Sequence, residues 1–155
     1  NQATHYLFAN VYLFEEIQEC ALAIAHQFVS NCFIDKKGMA YSIFYAIHKL
    51  HLKSRLDNPM LLIDGNYKFT KFENKNSRFN YKSIIRGDTK IVSIAAASII
   101  AKVKRDRYMK AVSGKYPLYE FDRHKGYGTK IHLEKIRNLG YSKIHRKSFI
   151  VKQLQ

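Results

Sequence analysis

The sequence has only two cysteines and twelve acidic residues, and no apolar run in it is long enough to cross a membrane. Eleven residues separate Cys20 from Cys32, and neither lies in a Cys-x-x-Cys or Cys/His cluster, which argues against a zinc site or a disulfide framework. Sparse cysteines of this kind are typical of the reducing cytosol, so we predict a cytoplasmic protein. Residues 1–10 lack the features of an export signal, and the missing initiator Met suggests that the natural chain starts further upstream.

Charge is strongly unbalanced in favour of the bases. The 155 residues include 27 Lys and Arg against 12 Asp and Glu, which gives a formal charge of +15. A field of this sign favours a polyanionic partner, and nucleic acid is the first candidate. Charge alone leaves a membrane surface, ribosomal RNA and a merely solvated basic face as alternatives. The length and the 46% hydrophobic content predict a single domain over residues 1–155.

Apolar periodicity predicts two helices in the first third of the chain. Apolar residues recur at helical spacing from Leu13 to Phe28, although Ile24 to Val29 also fits a short strand after a shorter helix. Met39 to Leu50 gives a second helical stripe.

The remainder alternates between strands and helices, which predicts an α/β fold. Met60–Ile63 and Ser83–Ile85 have the form of short buried strands, and the polar stretch Lys68–Lys82 between them predicts an exposed loop or hairpin. Ile91–Met109 predicts a long helix that ends before Tyr116-Pro117, and Thr129 is a candidate N-cap for a last helix that ends near Gly140.

Asp64 and Asp88 are the strongest candidates for chemistry. Each follows a predicted strand, where open α/β sheets present ligands. Carboxylates suit Mg²⁺ or Mn²⁺, and two such ions about 3.5 to 4 Å apart can clamp the attacking and leaving oxygens of a phosphodiester. Because Asp is common in turns and caps, the pattern also allows each acid a purely structural role.

The surrounding motifs resemble those of the ribonuclease HII family, also called type 2 ribonuclease H. The matching runs, in order, are Leu62–Gly65, Arg86–Asp88, Ser93–Arg107, Tyr116–Tyr119, His124–Thr129 and His145–Phe149. The resemblance implies a ribonuclease H-like α/β fold with a mixed central sheet flanked by helices. It also implies hydrolysis of RNA in RNA–DNA hybrids, cleavage 5′ of single ribonucleotides in duplex DNA, and roles in ribonucleotide excision repair and DNA replication.

The resemblance assigns roles to individual residues. Asp64 and Asp88 match two of the family's four acidic ligands, which together hold two divalent ions, Mg²⁺ or Mn²⁺. Tyr127 matches the tyrosine that packs on the sugar at the RNA-to-DNA junction. We predict that five basic side chains bind phosphate without reading the nucleotide sequence, namely Lys90, Lys102, Arg105, Lys125 and Arg146. We expect a monomer with no membrane partner.

The start of the chain departs from the family. Members begin with a strand that ends in an Asp-Glu pair, followed by a Gly-Arg-Gly loop and an Asp-Ser-Lys segment, and none of these occurs here. We therefore expect a domain that is N-terminally incomplete relative to the family. The main alternative is a non-catalytic basic domain that binds nucleic acid, whereas a ribosomal or architectural protein would explain the charge but not the spaced acids.

Histidine offers no clear metal motif. The seven histidines include His48 and His51, which are three residues apart with no carboxylate motif nearby, so core or surface roles are favoured. His145 lies in one of the family-like runs, and we expect it to be structural or to bind phosphate.

Overall fold

A computed structural model describes residues 13–21, 23–73 and 79–148. Residues 13–20 are helical, and we call them α1. The elements that follow are α2 (Asn31–Lys37), α3 (Met39–Ser54), β1 (Leu61–Asp64), β2 (Tyr81–Ile84), α4 (Val92–Lys115), α5 (Phe121–His124) and α6 (Lys130–Leu139), with 3-10 turns at Gly87–Thr89 and Pro117–Tyr119. The predicted α/β class is confirmed. Contacts divide the chain into two compact units, Asn1–Ala101 and Lys102–Gln155.

The sheet of the first unit is a parallel pair of strands. β1 and β2 align Leu61 with Tyr81 and Asp64 with Ile84, and Gly65 N donates a hydrogen bond to Ile84 O at 2.9 Å beyond the last pair. Both strands lie within two residues of their predicted positions. The two strands of the described residues are parallel, and the mixed sheet implied by the resemblance stays a prediction.

Three phenylalanines form the core of the first unit. Phe44 of α3 packs with Phe69 and Phe79, which lie between the two strands and are 1% and 6% exposed. Phe69 N also donates to the Tyr81 hydroxyl at 2.7 Å. The prediction that Lys68–Lys82 is an exposed loop or hairpin is therefore wrong at these aromatics. Two isolated apolar residues ten positions apart leave no periodic signal, yet they anchor the connection.

The prediction for residues 21–30 also needs correction. α1 ends at residue 20, and residues 23–30 are neither helix nor strand. Ile24 and Phe28 are both exposed, so these apolar positions do not line a core that would support a longer helix or a strand. Phe14 of α1, in contrast, is fully buried.

The predicted helix boundaries downstream are confirmed. α4 continues past Met109 to Lys115 and ends before Pro117, which lacks an amide hydrogen and begins a 3-10 turn. The side chain of Thr129 caps α6 by accepting from His132 N at 3.4 Å, and Gly140, with φ 74°, ends it.

The second unit has its own aromatic core. Val112, Tyr119 and Phe121 are buried there, with Met109 and Ile144 packed against them. In the part of the chain that the structure describes, no helix has both the length and the apolar character to cross a bilayer.

Candidate functional site

Asp64 and Asp88 lie at the same edge of the parallel sheet. Asp64 is the last residue of β1, and Asp88 lies in the 3-10 turn that follows β2. The Asp64 Oδ1 atom accepts a hydrogen bond of 2.8 Å from the backbone N of Gly87, the residue before Asp88. Both acids are exposed. We call this pair the acidic edge.

Close packing at Gly87 fixes the turn that carries Asp88. Gly87 is buried, and a Cβ added to it would lie 2.7 Å from Ile94 Cδ1 and 3.4 Å from Asp64 Oδ1. Arg86, just before it, has the left-handed conformation with φ 55°, which is unfavourable for a side chain of this kind. The Lys90 ammonium donates to Ile85 O at 2.8 Å across the turn. The turn is thus held by specific contacts on both sides of Asp88.

The donor chemistry of the acidic edge suits a hard divalent cation. Among the described residues, the carboxylate of Asp88 has no hydrogen-bond or ion-pair partner, and Asp64 uses one oxygen on Gly87. Anionic oxygens of this kind fit Mg²⁺ or Mn²⁺. No group of three or more His, Cys, Asp or Glu side chains suited to a metal occurs in the described part of the chain. The edge therefore offers two ligands, and Asp64 has a structural role in addition.

Tyr127 lies in a short loop of the second unit, residues 125–129, which we call the tyrosine loop. Its ring is 49% exposed, and the guanidinium carbon of Arg105 lies 4.3 Å from the ring centroid. Gly126 has φ 75°, and a Cβ there would lie 3.4 Å from Met109 Cε. The loop thus presents an aromatic surface beside a cation, a combination that suits a sugar next to a phosphate.

Backbone hydrogen bonds hold this loop on two histidines. Tyr127 O accepts from Thr129 N and is 2.8 Å from His132 Nδ1, and Tyr127 N donates to His124 O. Gly126 N donates to His124 Nδ1 at 3.2 Å. Both backbone polar groups of Tyr127 are therefore satisfied by residues of the second unit.

The other predicted phosphate-binding residues differ in how exposed their side chains are. Lys102 is exposed on α4, whereas Lys125 is half-buried and its Nζ donates to the backbone O of Asp122. Arg146 is half-buried, and Lys90 belongs to the first unit. The second unit contains 15 Lys and Arg against 4 Asp and Glu, a net +11 of the total +15. The basic character that predicts a polyanionic partner is concentrated there.

Three histidines of the second unit stack on one another, a feature that the sequence analysis did not find. The rings of His124 and His132 are 4.2 Å apart and nearly parallel, and His132 Nε2 lies 3.1 Å from His145 Nε2. Burial lowers the pKa of both His132 and His145, and the neighbouring histidines lower each pKa further. The contacts of His145 are structural, which is one of the two roles that the sequence allowed. The sequence contains only a weak signal for His124 and His132, because they lie close to the motif glycines and to the Thr129 cap.

The sequence favoured core or surface roles for His48 and His51, and the structure shows both residues half-buried. They lie on α3 and pack against Phe79, with ring centroids at 6.4 and 6.0 Å.

Comparison with known proteins decides the family. The family model described as ribonuclease HII matches residues 2–152, nearly the whole chain. The chain belongs to the ribonuclease HII family. The ribonuclease HII of Caldicellulosiruptor bescii is 43% identical over 138 residues, which cover 89% of this chain and 64% of that protein. The ribonuclease HII of Endomicrobium trichonymphae is 43% identical over 88% of this chain and 63% of its own length, and that of Clostridium beijerinckii is 44% identical over 92% and 50%.

The ribonuclease HII resemblance drawn from the motifs is confirmed. The chain spans about half to two-thirds of the length of these curated ribonuclease HII proteins. Family membership extends to the α/β scaffold and to the order of the motifs, while the roles of Asp64, Asp88 and Tyr127 stay predictions.

Proposed function

We propose that this chain acts as a type 2 ribonuclease H, which hydrolyses RNA in RNA–DNA hybrids and cleaves 5′ of single ribonucleotides in duplex DNA. One observation supports this most strongly. The hydrogen bond from Gly87 N to Asp64 Oδ1 joins the end of β1 to the turn that carries Asp88, so two exposed carboxylates share one sheet edge. Membership of the ribonuclease HII family gives this edge its most direct interpretation.

Asp64 and Asp88 would hold Mg²⁺ or Mn²⁺ through their carboxylate oxygens. A bound divalent ion would supply Lewis-acid stabilisation of charge on the phosphate. Asp64 is oriented for this by Gly87 N–H, which fixes one of its oxygens. The rigid turn around Gly87 limits the conformations of Asp88, so less entropy is lost when a ligand orders the pair.

Metal binding at the acidic edge tests this assignment. We would titrate Mn²⁺ into the protein and into Asp64→Asn and Asp88→Asn, and follow binding by the paramagnetic relaxation of water. Asp57→Asn is the matched control, because it removes an equal charge from another exposed site. Each acidic-edge variant should bind at least about tenfold more weakly, whereas the control should match the parent, because the lost ligands contribute directly to coordination. Unchanged Mn²⁺ binding in both variants would refute the metal site.

We further propose that Tyr127 recognises the sugar and that lysines such as Lys125 bind phosphate. An aromatic face packs on a ribose, whereas an ammonium acts as a point charge. Lys125 uses one of its three N–H donors on Asp122 O, so two stay available for phosphate.

The two roles predict different defects. In an active form, Tyr127→Ala should reduce cleavage at a single embedded ribonucleotide far more than it reduces affinity for the identical all-DNA duplex. Lys125→Ala should lower the slope of log affinity against log salt by about 0.9, the value for one phosphate contact. Similar losses of affinity from both substitutions, with unchanged salt slopes, would contradict this division of roles.

A second candidate function is nucleic-acid binding without efficient cleavage. It is favoured by the acidic edge itself, where two carboxylates come together and no third suitable side chain joins them among the described residues. Fixing two divalent ions close together requires more anionic oxygen than two carboxylates provide. The family's Asp-Glu pair is also absent from this sequence.

The two candidates are separated by one comparison. The 155-residue polypeptide, and the same polypeptide extended by the N-terminal segment of the Caldicellulosiruptor bescii protein, are incubated with Mn²⁺ and a duplex that contains one ribonucleotide. We expect the extended form to cleave and the shorter form to bind with little cleavage. Comparable cleavage by both would show that acids elsewhere in this chain complete the site.

A further inference from the structure

We propose that His132 and His145 are positioning residues for Tyr127. They join the backbone N–H of Ser142 to the tyrosine loop in a hydrogen-bond chain, and all the bonds of this chain are made only when both imidazoles are neutral. The inference rests on the proposed function, in which Tyr127 packs on the sugar. It adds a pH-dependent support that neither motif reading nor family membership assigns.

The partners of the chain fix where each proton lies. Ser142 N–H can only donate, so His145 Nδ1, at 2.9 Å, is an acceptor and its proton lies on Nε2. Tyr127 O can only accept, so His132 Nδ1, at 2.8 Å, must have the second proton. His132 Nε2 is then unprotonated and accepts from His145 Nε2–H at 3.1 Å. One neutral tautomer of each ring satisfies these three hydrogen bonds.

Protonation disturbs this arrangement. A proton added at His132 Nε2 would place two N–H groups against each other at 3.1 Å. His145 could relieve this by moving its own proton to Nδ1 and donating to the Ser142 hydroxyl, 2.8 Å away, but the Ser142 N–H bond would then be lost. A second added proton would have no acceptor among the hydrogen-bond partners named above.

Aromatic rings pack against the two imidazoles. His124 stacks on His132 and is itself fixed, with its Nε2 on Tyr119 O at 2.7 Å. The rings of Tyr119 and Tyr141 lie against His145.

The charged groups on the same elements are acids that have other partners and bases that are close to the pair in sequence. Glu120 pairs with Arg123 and Lys135, and Asp122 accepts from Ser113. Glu134 lies 4.0 Å from Lys130, and the remaining charged neighbours in sequence are Arg137, Lys143, Arg146 and Lys147. Burial of the two rings raises the cost of an imidazolium, and so do the neighbouring histidines.

Two substitutions of His132 separate its hydrogen bond to Tyr127 O from its hydrogen bond to His145. His132→Asn places an amide N–H near the position of Nδ1, so it keeps the bond to Tyr127 O but cannot reach His145. His132→Gln places its amide nearer to Nε2, so it reaches toward His145 and loses the bond to Tyr127 O. The two variants are matched in polarity and differ in which contact they retain.

The readout is the ratio of affinities for a duplex with one ribonucleotide and the identical all-DNA duplex, measured from about pH 7.5 to about pH 5 at constant salt. The ratio cancels the general gain in affinity that any added positive charge brings. We expect the ratio for the parent protein to be constant near neutral pH and to fall about two- to tenfold at acid pH, the effect of one lost neutral hydrogen bond. His132→Asn should keep the neutral-pH ratio and flatten its pH dependence, and His132→Gln should have a low ratio throughout.

A flat ratio in the parent protein, or a normal ratio in His132→Gln, would overturn the inference. If the parent protein does not distinguish the two duplexes at neutral pH, then the proposed function fails instead. Long-range ¹H–¹⁵N correlation spectra of the imidazoles still decide the hydrogen-bond chain in that case. They should show His132 as the Nδ1–H tautomer and His145 as the Nε2–H tautomer, and any other pair of tautomers would refute the chain.

Discussion

Asp64 should have two separable roles, and a pair of substitutions at this position tests both. Its carboxylate accepts from the backbone N of buried Gly87 at 2.8 Å, and it is also the first ligand of the proposed metal site. Asp64→Ala removes the acceptor and the charge. Asp64→Asn removes the charge but keeps an oxygen that can accept from Gly87 N–H.

The structure sets the size of the difference. A buried N–H that loses its partner costs about 1 to 3 kcal/mol. Because Asp64 itself is exposed, water can reach part of the vacated space, which places Asp64→Ala at about 1 to 2 kcal/mol of lost unfolding free energy. Asp64→Asn should lie within about 0.5 kcal/mol of the parent protein, as for other exposed substitutions that keep their contacts.

Urea unfolding without metal measures the first role, and Mn²⁺ titration measures the second. We expect Asp64→Asn to be stable and deficient in Mn²⁺ binding, and Asp64→Ala to be deficient in both. Equal stability of the alanine variant and the parent would show that the bond to Gly87 does not support the turn. Asparagine and alanine variants that lose the same stability would show that the charge, and not the hydrogen bond, matters there.

Further predictions concern packing and pH. Gly87→Ala should destabilise the protein by about 1 to 3 kcal/mol, because its Cβ would meet Ile94 Cδ1 at 2.7 Å, whereas Gly114→Ala, with no atom within 4 Å, should be neutral or stabilising in the same urea assay. Gly126→Ala should cost about 1 to 2 kcal/mol in the same urea assay because of its φ of 75°. Phe69→Ala should cost about 3 to 5 kcal/mol by leaving a cavity in the first unit, and a loss below about 1 kcal/mol would contradict the packing described. The pKa of His132 and of His145 is lowered in the folded protein, mainly by burial. Below about pH 6.5 the unfolded chain therefore binds more protons than the folded protein. The unfolding free energy should then fall as the pH drops, by up to about 1.4 kcal/mol per pH unit for each imidazole. A pH series of urea midpoints for the parent protein and His132→Asn measures this fall, and identical curves would contradict it.

Much of the fold could be predicted because its signals are local. The runs that became β1 and β2 are short, apolar and ended by glycine turns, and the Thr129 cap and the Pro117 break act through the backbone within a few residues. The segment after α1 could not be predicted in this way. Its apolar residues have helical spacing, but Ile24 and Phe28 are exposed, and whether such a face finds a core depends on distant parts of the chain.

The candidate site follows the same division. The sequence predicts that Asp64 and Asp88 each follow a strand. The parallel pairing of β1 with β2, which the sequence analysis does not specify, brings both acids to one edge. The bond between Asp64 and Gly87, however, joins residues 23 positions apart, and the stack of His124, His132 and His145 depends on how α5, α6 and the segment after α6 pack. Neither contact has a spacing in the sequence that would reveal it.

Because of the hydrogen bond between Asp64 and Gly87, the exchange rate of the Gly87 amide proton reports on changes at the acidic edge. Gly87 N–H is buried, so it exchanges with deuterium only when the bond to Asp64 opens and water enters. A cation that draws the Asp64 carboxylate toward itself would change the frequency of that opening, whereas the amides that pair β1 with β2 would keep their own rates. The exchange rate at this single position thus reports cation binding at the acidic edge, and it can be measured without a substrate.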